Sequence, residues 1–211
     1  MFYLFKTLQL VQKIFPSYVW KKETKSKTIY LTFDDGPTPE VTDWVLKTLE
    51  KYNAKATFFC IGKNVVENPE LVKSIVQKGH TIGNHTYSHL NGWRTSFKTY
   101  TADVLKAQTK LKSILRIDDP LFFRPAYGKI TNKQAAFLQK EGFNILMWDV
   151  LSGDFDVNLA PEKSLKKVLK HVESGSIIVF HDSVKAKNIL QYVLPKALAH
   201  WKKEAYEFLA L

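Results

Sequence analysis

Asp34 and Asp35 stand side by side at the end of an apolar run, residues 28–33, and Gly36-Pro37 then turns the chain away. Adjacent side chains at a strand end point in different directions. One carboxylate can therefore bind a metal while the other takes a proton from metal-bound water, and the cation relieves their mutual repulsion. An Asp-rich turn capping the next helix is the plainer alternative. His85 and His89, four residues apart, would lie on one face of a helical turn and grip one cation. With a carboxylate from Asp35 they make a two-His, one-carboxylate set with open positions for water and substrate, suited to Zn²⁺ or another divalent transition metal.

Arg124 precedes Pro125-Ala126-Tyr127-Gly128, which sets a charged guanidinium beside a rigid turn. There it can orient a catalytic carboxylate and keep it ionised, or simply form a surface salt bridge. His181 ends the apolar run 177–180, where a general acid could sit, although a structural strand-end histidine reads the same way. His80, His171 and His200 have no comparable neighbours and read as surface or structural residues. Cys60 is the single cysteine. It excludes an intrachain disulfide and a cysteine-based zinc cluster, and within the run 56–61 it reads as a buried core thiol.

The elements that must position these residues follow from pattern. A chain of 211 residues with 45% hydrophobic and 13% aromatic residues fits one packed domain. Strands are expected over 28–33, 56–61, 80–83, 121–124, 143–150 and 176–181, each rich in β-branched or aromatic residues. Helices are expected between them, over 39–52, 64–78, 95–115, 131–141, 161–172 and 184–203. Thr131 and Asn132 offer start caps, and Gly79, Gly142 and Gly175 offer stops. Strict alternation argues for a parallel sheet with crossover helices, either open and doubly wound or closed into a barrel. Asp34-Asp35, His85 with His89, Arg124, Asp149 with Asp154, and His181-Asp182 then fall at the C-terminal ends of strands, the edge where parallel α/β folds build active sites.

The net charge of +11 favours an anionic partner, but the lysines are scattered and not gathered in a basic run, which argues against nucleic acid. Residues 1–20 are apolar yet broken by Lys6, Lys13 and Pro16, with no small-residue cleavage signature. They make a poor signal peptide and a poor membrane span. Leu4, Phe5, Leu8, Val11 and Phe15 recur at helical spacing, which predicts a helix docked on its own domain, with peripheral membrane contact as the alternative. A polar link, residues 21–27, leads into the main domain at 28–211. The absence of a recognisable signal leans toward a cytoplasmic or peripherally membrane-associated monomer.

Read in order, residues 29–182 resemble the polysaccharide deacetylase family, also called the NodB-homology or carbohydrate esterase family 4 group. The motif Thr-Phe-Asp-Asp-Gly-Pro stands unaltered at Thr32 to Pro37, and a His-Thr pair followed by a second His stands at His85 to His89. The resemblance implies that Asp34 is the base and that Asp35, His85 and His89 bind one divalent cation, Zn²⁺ or in its place Co²⁺, Ni²⁺, Mn²⁺ or Fe²⁺. The Arg-Pro-Pro-Tyr motif appears as Arg124-Pro125-Ala126-Tyr127. By resemblance Arg124 holds Asp34 and the Tyr127 backbone N–H stabilises the oxyanion. Asp154-Phe155 matches an Asp-Trp motif with a different aromatic, Leu151 stands where many members carry another Asp, and Val179-Phe180-His181 matches Leu-x-His. This makes His181 the acid, tuned by Asp154. The family's fold is a distorted, often incomplete parallel (β/α) barrel. Implied is a metal-dependent hydrolase that removes N- or O-acetyl groups from a glycan in an open groove. Hydrolysis of a non-sugar amide, ferrous oxygenase chemistry on the same donor set, and a non-catalytic glycan-binding module are the rival readings.

Overall fold

The computed structural model describes residues 3–115 and 122–211. Met1, Phe2 and Leu121, the first residue of the expected fourth strand, lie outside the described residues. Seven strands form one curled parallel sheet: β1 (Thr28–Asp34), β2 (Ala56–Cys60), β3 (Thr81–Asn84), β4 (Phe122–Phe123), β5 (Asn144–Ile145), β6 (Val150–Leu151) and β7 (Ile177–His181). Their spatial order is β5-β4-β3-β2-β1-β7-β6, and a short strand near the C-terminus, β8 (Glu207–Phe208), pairs with the start of β1. The fold is therefore a distorted, incomplete (β/α) barrel, the architecture that the motif pattern implied. β1 is central and all seven of its residues are buried, because helices cover parallel sheets and leave no solvated face. Phe33 stacks on Phe58 of β2 and Phe180 of β7, with ring centroids 5.0 and 5.9 Å away.

The covering helices are α2 (Val41–Lys51), α3 (Gly62–Glu67), α4 (Pro69–Gln77), α5 (Phe97–Leu115), α6 (Asn132–Lys140), α7 (Pro161–His171) and α8 (Lys187–Lys203), preceded by a short α1 (Gln9–Ile14). The helix expected over 64–78 is two helices. Pro69 has no N–H to donate and forces Asn68 out of helical geometry, to φ −131° and ψ 56°. α6 starts on a reciprocal Thr131/Gln134 capping box.

The strand expected over 143–150 is also divided. β5 and β6 are opposite ends of the sheet, and residues 146–149 join them. The carbonyls of Leu146 and Met147 receive N–H groups of the Arg124 side chain, so they are not free to extend a strand ladder.

The N-terminal segment differs from the expected docked helix. α1 buries none of its residues, and Leu4 and Leu8 are exposed. Elsewhere the segment supplies backbone partners to both open edges of the sheet. Leu151 N–H donates to the Phe5 carbonyl and Thr7 N–H to the Asp149 carbonyl, while Val19 exchanges bonds with Ile145 and Met147. Unpaired edge groups are the strongest local demand on this stretch, and an extended chain meets it where a helix could not. No helix among the described residues is long and apolar enough to cross a membrane.

Candidate active site

Asp34 ends β1 with its carboxylate buried, and Arg124, just after β4, places Nη1 2.7 Å from Asp34 Oδ1 and 2.7 Å from Thr32 Oγ1. The guanidinium also donates through Nη2 to the Met147 carbonyl at 2.9 Å and lies 4.0 Å over the Phe59 ring. Complete burial lowers the Arg124 pKa, while the charge and hydrogen bond of Asp34 act the other way. The polar bonds hold Arg124 and Asp34 in one orientation.

The next residue, Asp35, turns toward the two histidines. Its Oδ1 lies 3.0 Å from His89 Nε2 and 3.6 Å from His85 Nε2, and the three donor atoms all fall within 4.8 Å of one another. His85 Nδ1 sits 2.8 Å from the Arg124 carbonyl, so Nδ1 carries the hydrogen and Nε2 keeps a lone pair facing Asp35. Burial pushes the His85 pKa down to about 4, which keeps the ring neutral, as a metal ligand must be. Burial raises the Asp35 pKa, but the His89 hydrogen bond and the charges of His181, His85 and His89 outweigh it and leave a carboxylate below the usual range. These residues fit a divalent cation.

Across the site His181 ends β7, with Nδ1 2.7 Å from Asp154 Oδ1 and its backbone N–H donating to Asp154 Oδ2 at 2.8 Å. Desolvation alone would lower the His181 pKa. The Asp154 charge and hydrogen bond, then Asp35 and Asp34, raise it to about 9. The imidazole therefore holds a proton at neutral pH. Tyr127 stands exposed with its ring 4.6 Å from that of His89.

Strain gathers here. Among the described residues seven non-glycine positions have positive φ, and four of them are Asp35, Thr86, His89 and Tyr127. Such geometry persists only where the surroundings over-determine it. The His85–His89 stretch is accordingly a loop and not the helical turn its spacing suggested. Asn84 Oδ1 accepts Thr86 N–H, and Asp103 Oδ2 accepts the N–H groups of Tyr87 and Ser88. Asn64 Nδ2 donates to the Asp35 carbonyl at 2.8 Å.

Asp182 is a residue whose part here sequence reasoning missed. It is buried beside His181, and its carboxylate accepts Gly36 N–H at 3.0 Å and the Thr42 hydroxyl at 2.5 Å. It fixes the turn that leaves Asp35, and a Cβ at Gly36 would collide with its carboxyl group. Burial, together with Asp35 and Asp34, pushes its pKa to about 7. Sequence offered one signal, its adjacency to His181, and nothing that named Thr42 as its partner.

Asp149 does not join the rim where it was expected. It precedes β6, its N–H bonds the Ile177 carbonyl at the start of β7, and it pairs with Lys6 at 2.7 Å and Ser176 at 2.6 Å. That is the opposite end of the sheet, a consequence of the divided strand. Ala126 and Leu151, two of the departures from the motifs, are both buried. His80 is structural: Nδ1 accepts Ala56 N–H, and burial with Lys55 and Lys78 nearby lowers its pKa to about 4. Cys60 is fully buried with its thiol pKa raised.

Comparison with known proteins gives a consistent picture. The family model described as polysaccharide deacetylase matches residues 21–146. A peptidoglycan-N-acetylglucosamine deacetylase of Bacillus cereus is 34% identical over 193 residues, 91% of this chain and 90% of that protein. A chitooligosaccharide deacetylase of a Bradyrhizobium species is 33% identical over 157 residues, 74% of this chain and 71% of that one. The crystal structure of the Bc1960 peptidoglycan N-acetylglucosamine deacetylase, solved with an N-hydroxybenzamide compound, superposes with a TM-score of 0.86 at 32% identity, covering 92% of this chain and 91% of the other.

Proposed function

Since this chain belongs to the polysaccharide deacetylase family, we propose that it hydrolyses the N-acetyl group of glucosamine residues in an oligomeric or polymeric glycan. Support comes from two relatives, a peptidoglycan-N-acetylglucosamine deacetylase and a chitooligosaccharide deacetylase. The observation that carries the reading is a pair of devices on neighbouring strand ends: an Arg124-clamped Asp34 beside the Asp35/His85/His89 cluster, and a His181 held by Asp154.

In this reading Asp35, His85 and His89 hold one divalent cation, with zinc the best match to two imidazoles and one carboxylate. When bound, the cation supplies Lewis acidity, polarising the acetyl carbonyl and lowering the pKa of water from ~16 toward about 7. Asp34 accepts the proton of the attacking water, and Arg124 keeps that carboxylate aimed. The backbone N–H of Tyr127 donates to the oxygen that becomes negative as the carbonyl carbon turns tetrahedral. His181 gives its proton to the departing nitrogen, the C–N bond breaks, and acetate leaves with a free amine. Asp154 fixes the tautomer, because its bond to Nδ1 leaves Nε2 as the donor. Tyr127 stands exposed beside His89, and Trp93, four residues beyond His89 in the chain, stands exposed with its indole N–H pinned to the Ile130 carbonyl at 3.0 Å. Rigid exposed rings of this kind suit the apolar faces of sugars.

The test is acetate release from chitooligosaccharides, peptidoglycan fragments and acetylated xylan, using metal-stripped protein with and without added Zn²⁺ or Co²⁺, beside Asp34→Asn. Metal-dependent release from the first two substrates that vanishes in the variant is expected. Release only from xylan would move the reading to O-acetyl esters. Metal binding without release from any glycan would favour a non-sugar amide.

A further inference from the structure

Residues 3–7 cover the loop that carries Asp154, and we propose that Tyr3 is a positioning residue for the Asp154–His181 pair. The proposal rests on the reading of those two residues given above. Asp154 must bond both the backbone N–H and the ring of His181, at 2.8 and 2.7 Å, so the loop has to be held at one distance from β7. Its ends are bonded to the domain, Ser152 N–H to the Val179 carbonyl at 3.0 Å, Ser164 Oγ to the Ser152 carbonyl at 2.8 Å and Leu159 N–H to the Asp156 carbonyl at 2.8 Å, and its middle is held more lightly. Asp154 N–H reaches Ser152 Oγ at 3.3 Å and Asp156 N–H reaches the Gly153 carbonyl at 3.0 Å, around a Gly153 whose φ of 75° adds conformational freedom.

What fills the outer side is the N-terminal segment. A Cβ at Gly153 would stand 3.0 Å from Leu159 Cδ2 and 3.1 Å from both Tyr3 Cε2 and Phe5 Cε1, so those rings lie directly on the loop beside Leu159. Tyr3 meets Phe5 edge-on at 5.4 Å and Phe155 at 5.1 Å, and Phe155 meets His181 at 5.2 Å. The Tyr3 hydroxyl donates to Asp156 Oδ2 at 3.1 Å, which ties the far end of the same loop.

The segment can bear this load because it is itself anchored. Leu151 N–H bonds the Phe5 carbonyl, and Thr7 N–H bonds the Asp149 carbonyl, both at 2.9 Å. Between them Lys6 Nζ reaches Asp149, Glu173 and the His171 carbonyl. A continuous line of contacts thus runs from a clamped edge of the sheet through Tyr3 and Phe155 to the ring of His181. The family match spans residues 21–146, so neither end of this line falls within it.

The experiment compares Tyr3→Ala and Tyr3→Phe with the unaltered full chain. For Tyr3→Ala, kcat for acetate release from a chitooligosaccharide should fall about tenfold, below the ~10²-fold that a 1 Å misplacement can cost, with KM and Tm little changed. Tyr3→Phe keeps the ring contacts but loses the bond to Asp156, so its kcat should fall less than that of Tyr3→Ala. Hydrogen exchange without substrate should show faster exchange at the amides of Asp154 and His181 in Tyr3→Ala alone, and at Asp156 in both variants. Unchanged exchange at those amides would overturn the proposal. So would a loss confined to KM or to Tm, or equal effects of the two substitutions. If the chain releases acetate from no substrate, the proposed function fails while the exchange measurement still decides this inference.

Discussion

Arg124 and Asp34 meet through one 2.7 Å bond, Nη1 to Oδ1, with both side chains withdrawn from water. The same guanidinium holds Thr32 Oγ1 and the carbonyls of Leu146 and Met147, so a single side chain sets the position of Asp34 and the course of the β5–β6 connection.

Arg124→Met should therefore fail twice. It leaves Asp34 as a buried unpaired carboxylate, which costs about 3–5 kcal/mol in urea unfolding, and it removes the bond that aims Asp34. Arg124→Lys retains the charge but has no planar fork to serve several acceptors at once. It should fold more stably than the Met variant yet lose ~10²-fold in kcat through misplacement of Asp34. Full activity in Arg124→Lys would mean that charge alone matters.

Removal of metal should be reversible and visible in stability as well as rate. A cation that binds only the folded chain stabilises it by about 2.7 kcal/mol when present at 100 times its Kd. Chelator-treated protein should thus melt lower and release no acetate, and Zn²⁺ should restore both. His89→Ala, which removes one of the three donor atoms at the Asp35 cluster, should abolish the zinc-induced rise in Tm. A full rise in that variant would show that zinc binds elsewhere.

The pH profile follows from His181. Its pKa is raised to about 9, so the proton it must donate is present at neutral pH and is lost as pH rises through that value. kcat should fall on this alkaline side. Asp154→Asn removes the largest influence raising the pKa and leaves desolvation to lower it. The limb should then move to lower pH, making the variant relatively worse at pH 8 than at pH 6. A limb that stays in place would assign the proton to another group.

Trp93 is 65% exposed although its backbone N–H bonds Asn91 Oδ1 and its indole bonds the Ile130 carbonyl. A ring held so firmly in water should contribute through contact with the glycan. Trp93→Ala should raise KM for a long chitooligosaccharide several-fold, in line with the ~1–3 kcal/mol that stacking on an aromatic ring contributes in other ligands, and should leave kcat unchanged. An unaltered KM across chain lengths would remove Trp93 from the groove.

Much of this was legible in the sequence because the site is written in short contiguous pieces. Asp34-Asp35, His85 with His89, and His181 each end or follow a strand whose apolar run is plain, and the parallel topology brings those ends to one rim. What escaped depends on contacts distant in sequence. The left-handed turns within the 85–89 loop are held by Asp103, the displacement of Asp149 by Arg124's claim on residues 146 and 147, and the extended N-terminal stretches by the edges they satisfy. β8 is two residues long, too short for any period to register.

Asp182 gives the last prediction. Its pKa is pushed from 3.8 to about 7 by burial and by Asp35 and Asp34, so in the metal-free protein the folded chain binds this proton more tightly than the unfolded chain. The contribution of Asp182 to stability then falls as pH rises from about 4 through 7, since the folded state binds the extra proton throughout that window. Asp182→Asn, neutral at every pH, should remove this slope while still offering one acceptor to Gly36 N–H. Asp182→Ala leaves both the Gly36 N–H and the Thr42 hydroxyl without this partner and should cost about 1–3 kcal/mol for each group left unsatisfied. Urea unfolding of the metal-free proteins at pH 5 and pH 8 checks both. Equal slopes in the unaltered and Asn forms would show that Asp182 is ionised throughout, with Gly36 and Thr42 stabilising its charge more than burial penalises it.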